Sequence, residues 1–398
     1  MNANLSKLVE IAQKPTRRII GLMSGTSMDG LDIALCRFSG HGAATTVTLE
    51  KFETVNFNED IKDEIRRVFA KKEIDFQHLC LLNPWVGNLH GKLVIDCLEK
   101  WQISPREVDI VASHGQTVFH APKILHHLEK YPNATLQIGD GDHIAVTTGI
   151  ITLSDFRQKH CAAGGEGAPL AVYGDYFVFS KQGENRIMLN IGGIANFTYL
   201  PGSLNAQEVF VTDTGPGNTL IDAFMRKFFN LPFDKDGQVA KSGQVNSSLL
   251  DALKKDPFFK GPFPKTTGPE LFSLDYVRIA QQRSHTTSLS PEDLVTTLTQ
   301  FSAETIAEAI LKVCKNNQNY HLYLSGGGMH NPALIDTLRK LLPNFPMDAT
   351  DSLGIAGDAK EAVLFAILAN ETLCGDTVDF GTRKGVPSVS MGKISFPY

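Results

Sequence analysis

The sequence has few cysteines, and those it has follow no pattern. Six cysteines lie far apart in 398 residues, without the paired spacing of a zinc site or a disulfide framework. Scattered cysteines in a chain of this length are typical of buried, reduced thiols, so we expect a cytoplasmic protein without zinc. The first 14 residues also lack the apolar core of a signal peptide, which agrees with that location.

Long apolar runs and blocks of like charge are also missing. No stretch approaches the ~20 apolar residues of a membrane-spanning helix, so we expect no membrane partner. The 38 lysines and arginines nearly balance the 43 aspartates and glutamates, which gives a net charge of −5. Without a basic block, we expect no nucleic-acid partner either.

The chain does contain an ordinary globular composition and a repeated pattern. Hydrophobic residues make up 42% of it, and its length predicts two domains rather than one. Strand-like and helix-like segments alternate, which indicates the α/β class. Residues 18–38 are predicted to form strand, glycine-containing turn and strand, and residues 186–200 repeat that order. We interpret this as an internal duplication in which each domain opens with a hairpin; two convergent hairpins are the alternative.

The tip of the first hairpin is built from Gly, Ser, Thr and Asp. Glycine lets the backbone come close to a ligand and turn its N–H groups outward, and the hydroxyls add donors. Such a tip suits a phosphate chain, and Asp29 suits a Mg²⁺ ion held through water. The alternative is a tight hairpin that only needs glycine. The candidate cofactor-binding residues are Gly25, Thr26, Ser27, Met28, Asp29, Gly30, Leu31 and Asp32.

Three further glycine-rich corners lie at the ends of predicted strands. Because ligands of open α/β sheets bind beyond the carboxyl ends of the strands, four such corners in one chain indicate a nucleotide site, with two loops on the phosphates and one on the adenosine side. None of them matches the P-loop, and none is followed by the ribose-binding acid of a dinucleotide fold. The candidate residues are Gly192 and Gly193; Gly215, Gly217 and Asn218; and Gly326, Gly327 and Gly328.

These motifs, in their order along the chain, resemble the anhydro-N-acetylmuramic acid kinase family from about residue 18 to the end. The resemblance implies the sugar kinase/Hsp70/actin fold, with two duplicated ribonuclease H-like α/β domains and a deep interdomain cleft. We expect the first domain over residues 16–155, completed by 376–398, and the second over 156–375 with most of the nucleotide site. Pro269 stands where the family often has arginine, so a contact of that arginine is not carried over. The motifs are Gly21–Asp32, Ser113–Thr117, Asp155–Arg157, Ala162–Leu170, Asn190–Gly193, Asp213–Asn218, Ser242–Asn246 and Gly326–Gly328.

The resemblance also implies a reaction and its partners. ATP, with Mg²⁺, phosphorylates O6 of 1,6-anhydro-N-acetylmuramic acid while water opens the anhydro bridge at C1. The product is N-acetylmuramic acid 6-phosphate, which the family supplies to peptidoglycan recycling. The resemblance further suggests a homodimer. In this resemblance, the glycine-rich corners described above would bind the phosphates and the base of ATP.

This chemistry needs a carboxylate that activates water on the face of the sugar opposite the bridge. Asp213 is the candidate base, because it follows the predicted strand 209–212 and adjoins Gly215, and because the family has its base at this motif position. The alternative is an Asx-turn residue that only closes the corner. Asp155 is the second candidate for the base.

Four residues are candidates for binding the sugar. Arg157 could pair with Asp155, or it could bind the lactyl carboxylate of the sugar as a charge-matched fork. Glu361 matches a family residue that faces the sugar, although its spacing from Asp358 also fits a helix-capping pair. His114 could contact the substrate, but a single histidine at a strand end is also typical of a structural role.

Two other functions share most of these motifs. A non-catalytic ATP-binding clamp of the Hsp70/actin kind has the phosphate hairpins but no use for a sugar pocket, and it would hydrolyse ATP slowly without regard to sugars. A kinase for another sugar would keep the ATP motifs and change only the pocket. The segment 155–169 and Asp213 favour the sugar kinase over the clamp.

Overall fold

A computed structural model of the chain describes residues 2–268, 270–314, 319–381 and 385–398. Pro269, which the sequence analysis singled out, lies outside the described residues. The chain forms two compact units. Unit 1 comprises Met1–Phe179 with Gly354–Tyr398, and unit 2 comprises Ser180–Leu353.

Strands and helices alternate along most of the described chain, as the sequence predicts. The strands are β1 (Thr16–Ser24), β2 (Gly30–Ser39), β3 (Thr46–Asn56), β4 (Ile110–Ala121), β5 (Ala134–Ile138), β6 (Thr152–Ser154), β7 (Asn185–Ile191), β8 (Ile194–Leu200), β9 (Phe210–Pro216), β10 (Tyr320–Ser325), β11 (Met347–Ala349) and β12 (Lys393–Ser395).

The helices vary from single turns to long rods. They are α1 (Ala3–Gln13), α2 (Glu59–Arg66), α3 (Phe76–Trp101), α4 (Lys123–His126), α5 (Gly141–Thr148), α6 (Phe156–Ala162), α7 (Ala171–Phe179), α8 (Thr219–Phe229), α9 (Gln238–Ser242), α10 (Ser247–Leu253), α11 (Leu274–Ser284), α12 (Pro291–Val313), α13 (Pro332–Leu341) and α14 (Lys360–Cys374). Within the described ranges, none combines the length and apolar composition of a membrane-spanning helix.

The two sheets share one topology. In unit 1, β1, β2 and β3 form an antiparallel meander, β4 pairs parallel with β1, and β6 pairs parallel with β4. In unit 2, β7, β8 and β9 form the meander, β10 pairs parallel with β7, and β11 pairs parallel with β10. This is the strand arrangement of a ribonuclease H-like domain, repeated once. The predicted α/β class and the internal duplication are therefore confirmed.

Unit 1 adds two strands to this common plan. Strand β5 pairs antiparallel with the second half of β4. Strand β12, near the end of the chain, pairs antiparallel with β6, with Lys393 opposite Ser154. The C-terminal segment therefore returns to the first sheet, as the sequence predicts.

Each unit buries its own apolar core. In unit 1, the alternating residues of the first hairpin pack against α3 and α5, and the buried set includes Ile20, Leu22, Ile33, Leu35, Val94, Leu98 and Ile144. In unit 2, strands β7 and β10 pack against α12 and α13, and the buried set includes Ile187, Leu189, Leu322, Ile306, Ile310, Leu334 and Leu338. The first hairpin is buried on both faces, because α14 covers the face opposite α3 and α5.

Local signals explain where the long helices begin. The Ser290 hydroxyl accepts the N–H of Asp293 at 3.1 Å, and Pro291 occupies the first helical position of α12. Proline is preorganised there and lacks only an N–H that would have no partner within the helix. Asp75 caps α3 in the same way through the N–H of His78 at 3.1 Å. The predicted start of α12 is confirmed.

The units divide the chain at different residues from those that the sequence predicts. The expected boundaries follow residues 155 and 375, whereas the divisions lie between Phe179 and Ser180 and between Leu353 and Gly354. Helix α14 accounts for the second difference, because it packs on β1, β2 and β4 of the first sheet. Helices α6 and α7 likewise belong to unit 1.

Helix α14 approaches β1 most closely at Gly21. A Cβ atom on Gly21 would overlap the carbonyl oxygen of Ala362 and would lie 3.2 Å from the Cβ of Ala366. The first of these obstacles is backbone, which cannot move aside as a side chain can. Glycine at this position is therefore required by the packing of α14.

We predict that Gly21→Ala destabilises the protein, because β1 and α14 must separate to admit the methyl group. Overpacking of this kind costs about 3 kcal/mol, and urea denaturation followed by circular dichroism measures it. Gly261→Ala is the matched control, since its Cβ would lie 3.4 Å from the nearest atom, the carbonyl oxygen of Phe258. Equal stability of the two variants would contradict this reading of the contact.

Candidate active site

The tip of the first hairpin is tied to the neighbouring strand β4 through Gln116. The buried Ser24 hydroxyl lies 2.6 Å from the Gln116 side-chain oxygen, and the Gln116 amide donates to the carbonyl of Gly25 at 3.1 Å. The N–H of Met28 donates back to the same carbonyl at 3.2 Å, and Met28 has a φ of +58°. The turn is therefore tight, and hydrogen bonds to Gln116 of β4 hold it in place.

The side chains of the tip divide into two groups. Thr26, Ser27 and Asp29 are exposed, so their hydroxyls and carboxylate are available to a ligand. The side chain of Leu31 is fully buried in the core, so only its backbone could face a ligand. The Asp32 carboxylate accepts the Thr54 hydroxyl at 2.6 Å across the β2–β3 pair, which fits a residue that pins the hairpin.

In unit 2, two glycine corners are hydrogen-bonded to each other. The N–H of Gly217 donates to the carbonyl of Gly193 at 2.8 Å, and the N–H of Asn218 donates to the carbonyl of Gly192 at 2.9 Å. The Asn218 side-chain amide lies 3.4 Å from the carbonyl of Ile191. The turn after β7 and the end of β9 therefore form one surface at the start of α8.

The third corner of unit 2 joins the same surface from the other side of β7. Gly326 has a φ of +81°, and a Cβ there would lie 2.6 Å from the side-chain oxygen of Asn190. A Cβ on Gly328 would overlap the side chain of Ile191. The structure thus gathers Gly192, Gly193, Gly217, Asn218 and Gly326–Gly328 around the end of β7. Gly215 lies two strands away from Ile191, where it pairs with Ala195 of β8.

Packing within the protein explains some of these glycines but not all of them. Gly30, Gly217, Gly326 and Gly328 are needed because a Cβ would collide with neighbouring protein atoms. A Cβ on Gly193 would likewise lie 2.7 Å from the Thr219 hydroxyl, and one on Gly215 would lie 3.0 Å from the ring of Phe259. Three others face more open space. Gly327 has no atom within 4 Å of an added Cβ, and the nearest atoms lie at 3.7 Å for Gly25 and at 3.5 Å for Gly192. These three positions have room for a side chain, so a ligand that approaches the backbone closely fits their glycine identity.

Asp213 lies within β9 and is hydrogen-bonded to the backbone of residues 265–267. Its Oδ2 accepts the N–H of Thr267 at 2.7 Å, and its own N–H donates to the carbonyl of Lys265 at 2.9 Å. Burial raises the pKa of the Asp213 carboxyl, and the Thr267 N–H opposes that shift. The carboxyl is thus partly desolvated, and one of its oxygens is fixed by the backbone.

Arg157 is half-buried at the start of α6 and is held at two of its nitrogens. Its Nε–H donates to Nε2 of His114 at 2.8 Å, and its Nη1 donates to the carbonyl of Gly167 at 2.6 Å. Asp155, the expected ion-pair partner, is instead bonded to the ammonium group of Lys393 on β12. The sequence alternative of an Asp155–Arg157 pair is not the arrangement found.

His114 has protein partners at both ring nitrogens. Its Nδ1 lies 2.8 Å from the carbonyl of Gly115, and its Nε2 accepts from Arg157. The side chain is buried, with 2% exposure. His114 therefore supports Arg157, and it has no ring nitrogen left for the direct substrate contact that the sequence analysis considered.

Glu361 is the second residue of α14, and its carboxyl interacts electrostatically with the guanidinium of Arg157. Partial burial raises the pKa of its carboxyl, the positive charge of Arg157 opposes the shift, and Asp32 adds to it. The start of α14 has no side-chain cap, and Asp358 lies in a separate single turn, Gly357–Ala359. The capping pair that the spacing allowed is absent from these described residues, so the Glu361 carboxyl is available for another role.

Two supporting residues were missed from the sequence. His160 accepts the N–H of Gly167 through Nδ1 at 2.9 Å, which ties down the residue whose carbonyl holds Arg157. The glycine spacing of the loop 162–167 was visible, but the histidine seven residues before Gly167 carried no signal of its own. Thr267 was also missed, because a backbone N–H donor has no sequence signature.

Comparison with known proteins identifies relatives over the full length. The family model described as anhydro-N-acetylmuramic acid kinase matches residues 17–383. A curated protein of that name from Pseudoalteromonas atlantica is 54% identical over 400 residues and covers 100% of both chains. Another, from Caldanaerobacter subterraneus, is 37% identical over 395 residues, which are 98% of this chain and 100% of the relative.

Among solved structures, the similarity is weaker. The activator of the 2-hydroxyisocaproyl-CoA dehydratase from Clostridium difficile, with bound ADPNP, is 11% identical, and the match covers 89% of this chain and 95% of that one. Its TM-score is 0.39, which is too low to add to the topology described above.

We predict that the adjacent glycines Gly327 and Gly328 respond differently to substitution. Gly327→Val leaves the melting temperature unchanged but raises the Kd for ATP by about tenfold, because a side chain enters space that a ligand would use. Gly328→Ala lowers the melting temperature, because its methyl group would overlap Ile191. Differential scanning fluorimetry and calorimetric titration with ATP measure the two effects. Unchanged ATP binding by the Gly327 variant would contradict a ligand at this corner.

Proposed function

The chain belongs to the anhydro-N-acetylmuramic acid kinase family and is therefore a phosphotransferase, and we propose that it phosphorylates 1,6-anhydro-N-acetylmuramic acid at O6 with ATP while water opens the anhydro bridge. The products are N-acetylmuramic acid 6-phosphate and ADP. This reaction would serve peptidoglycan recycling in the cytoplasm. The observation that carries the proposal is Asp213, a partly desolvated carboxyl beside the glycine corners of unit 2.

The bonds of the reaction balance with a single base. The oxygen of water bonds to C1, and the proton that it loses passes to the Asp213 carboxylate. The C1–O6 bond breaks, and the released O6 bonds to the γ-phosphorus of ATP while the bond from that phosphorus to ADP breaks. No separate acid is needed for O6, because it leaves as a nucleophile.

The surroundings of Asp213 suit a general base. Burial raises the pKa of the carboxyl, and a higher pKa makes the carboxylate a better acceptor for the proton of water. The Thr267 N–H fixes Oδ2 at 2.7 Å, which leaves Oδ1 for the water. Asp155, the second candidate, is bonded through Oδ2 to the Lys393 ammonium group, so that oxygen is already engaged by a side chain of the protein.

Arg157 and Glu361 are the proposed sugar-binding groups of unit 1. The guanidinium of Arg157 uses Nε and Nη1 for protein contacts, so the N–H groups of Nη2 are left to bind the lactyl carboxylate in the planar geometry that arginine favours. The Glu361 carboxylate can accept from a sugar hydroxyl. Asp155, on the same segment as Arg157, has the bond to Lys393 instead, so we assign it no direct contact.

The glycine corners fit a nucleotide. Open space at Gly25, Gly192 and Gly327 lets phosphates or ribose come against the backbone, and backbone N–H groups stabilise phosphate charge. The exposed Asp29 carboxylate fits a Mg²⁺ ion held through water, since Mg²⁺ keeps several waters and uses few protein ligands. Bound Mg²⁺ would neutralise charge on the phosphates.

A panel of three sugars tests the proposed substrate. 1,6-Anhydro-N-acetylmuramic acid should give a 6-phosphate by mass spectrometry, with one ADP formed per sugar consumed. 1,6-Anhydro-N-acetylglucosamine, which lacks the lactyl group, should react at least about tenfold less efficiently, the size of one lost charged hydrogen bond. N-Acetylmuramic acid, which lacks the bridge, tests whether phosphorylation needs ring opening. ADP formation that ignores all three sugars would favour the ATP-binding clamp, and a preference for another sugar would identify a different kinase.

We predict that Asp213→Asn retains ATP binding and loses turnover by about 10³-fold, because the amide cannot accept the proton of water. Titration calorimetry with ATP and a coupled ADP assay measure the two properties. Asp251→Asn, an exposed aspartate on α10, is the control for the loss of one negative charge. Near-normal turnover in the Asp213 variant would move the base role to Asp155.

A further inference from the structure

We propose that His114 is a positioning residue that acts through Arg157. Locked in one neutral tautomer, its ring holds the guanidinium so that the free N–H groups of Arg157 select an anionic sugar. The proposal rests on the proposed function, in which Arg157 binds the lactyl carboxylate. In this proposal, His114 contributes to substrate selectivity without touching the substrate.

The hydrogen bonds of the ring agree on a single tautomer. Nδ1 lies 2.8 Å from the carbonyl of Gly115, and since a carbonyl cannot donate, Nδ1 must carry the proton. Nε2 then has a lone pair, which accepts the Nε–H of Arg157 at 2.8 Å. An imidazole with the opposite tautomer would lose both bonds.

Gly115 is placed to enforce this choice. Its φ of +77° turns its carbonyl back toward the ring of the preceding residue, and this backbone conformation is readily available only to glycine. A Cβ on Gly115 would also lie 2.5 Å from the carbonyl oxygen of Ile138. The acceptor for Nδ1 is thus fixed by the backbone of β4 and not by a mobile side chain.

Packing prevents the ring from leaving this orientation. The His114 side chain is 2% exposed, and its ring lies 4.7 Å from that of Phe365 on α14, centroid to centroid. Burial and the positive charge of Arg157 lower the pKa of His114 to about 3. The ring therefore remains a neutral hydrogen-bond acceptor over the range in which enzymes work.

The guanidinium is fixed at a second point, which defines its plane. Nη1 donates to the Gly167 carbonyl at 2.6 Å, and the Gly167 N–H is itself bound by His160 at 2.9 Å. Arginine carries five N–H donors, so three remain after these two bonds. A planar group with its remaining donors fixed in direction matches a carboxylate better than a freely rotating one.

A neutral partner also preserves the charge of the arginine. A carboxylate at the position of His114 would hold the guanidinium equally well, but it would cancel the charge that attracts an anionic substrate. Imidazole in this tautomer accepts the hydrogen bond without adding negative charge. Because His114 adds no negative charge to that of the nearby Glu361 carboxyl, more of the positive charge of Arg157 is left to favour a sugar that carries a carboxylate over one that does not.

Two substitutions test whether the role of His114 depends on the hydrogen-bond acceptor at Nε2 or on the rest of the ring. His114→Gln can place its side-chain oxygen where Nε2 lies and keep the bond to Arg157, whereas His114→Asn keeps a donor for Gly115 and loses the acceptor. Calorimetric titration gives the Kd of each variant for 1,6-anhydro-N-acetylmuramic acid and for 1,6-anhydro-N-acetylglucosamine. We expect His114→Asn to weaken binding of the lactyl sugar about tenfold, with little change for the other sugar and with recovery in His114→Gln.

The same titrations in an Arg157→Gln background test whether His114 acts through the arginine. Adding His114→Asn to that background should cause no further loss, because the effects of residues that act as a unit do not add. Equal weakening for both sugars, or a full further loss in the double variant, would overturn the proposal. A parent protein that binds both sugars equally would overturn the proposed role of Arg157 and, with it, the share in selectivity that we assign to His114.

A spectroscopic measurement on the parent protein does not depend on the substrate. The ¹⁵N spectrum of histidine-labelled protein, with His114 assigned by its absence in His114→Gln, should show a protonated Nδ1 and an unprotonated Nε2 at pH 7. The opposite tautomer or a doubly protonated ring would contradict the positioning role whatever the sugar specificity is.

Discussion

The close approach of helix α14 to strand β1 determines where the charged groups of unit 1 lie. At Gly21 the two elements touch backbone to backbone, with the carbonyl of Ala362 where a side chain would be. Glu361 precedes that residue, and Phe365, one turn later, supports the ring of His114. His114 in turn holds Arg157. The close contact at Gly21 thus fixes α14, and through α14 it fixes the surroundings of Glu361, His114 and Arg157.

The two proposed functional carboxyls differ in their surroundings, and this difference separates their roles. Burial raises the pKa of both Asp213 and Glu361. Glu361 has the positive charge of Arg157 to oppose that shift, whereas Asp213 has only the N–H of Thr267. The carboxyl without a cation is the better proton acceptor, and the carboxyl beside a cation is the better hydrogen-bond acceptor for a neutral hydroxyl. The assignment of base to Asp213 and of sugar binding to Glu361 follows from that contrast.

Much of the fold could be predicted from local sequence pattern. The strand–turn–strand order of residues 18–38 and 186–200 predicts the two hairpins, and its repetition predicts the shared sheet topology. The start of α12 follows from Ser290 and Pro291. The placement of α14 in unit 1 could not be predicted, because it depends on a contact with Gly21 that is more than 300 residues distant in sequence and leaves no periodic signal.

The site was predictable as a set of residue types and not as a set of contacts. The glycine corners were recognised, but spacing does not reveal what lies beside each glycine, so Gly327 and Gly328 could not be distinguished. The sugar-binding role of Arg157 stays a prediction, and its side-chain partner is His114 rather than Asp155. That exchange depends on Lys393, which the return of the C-terminal strand brings to Asp155.

The coupling of phosphoryl transfer to bridge opening is most directly tested by the origin of the anomeric oxygen. The reaction is run with ATP, Mg²⁺ and 1,6-anhydro-N-acetylmuramic acid in ¹⁸O-water, and the product is analysed by mass spectrometry at early times against a control for exchange of the open sugar. One ¹⁸O at C1 of the 6-phosphate, above the exchange control, is the expected result. A phosphorylated product whose bridge is intact, or ¹⁸O found in released phosphate without sugar product, would contradict it.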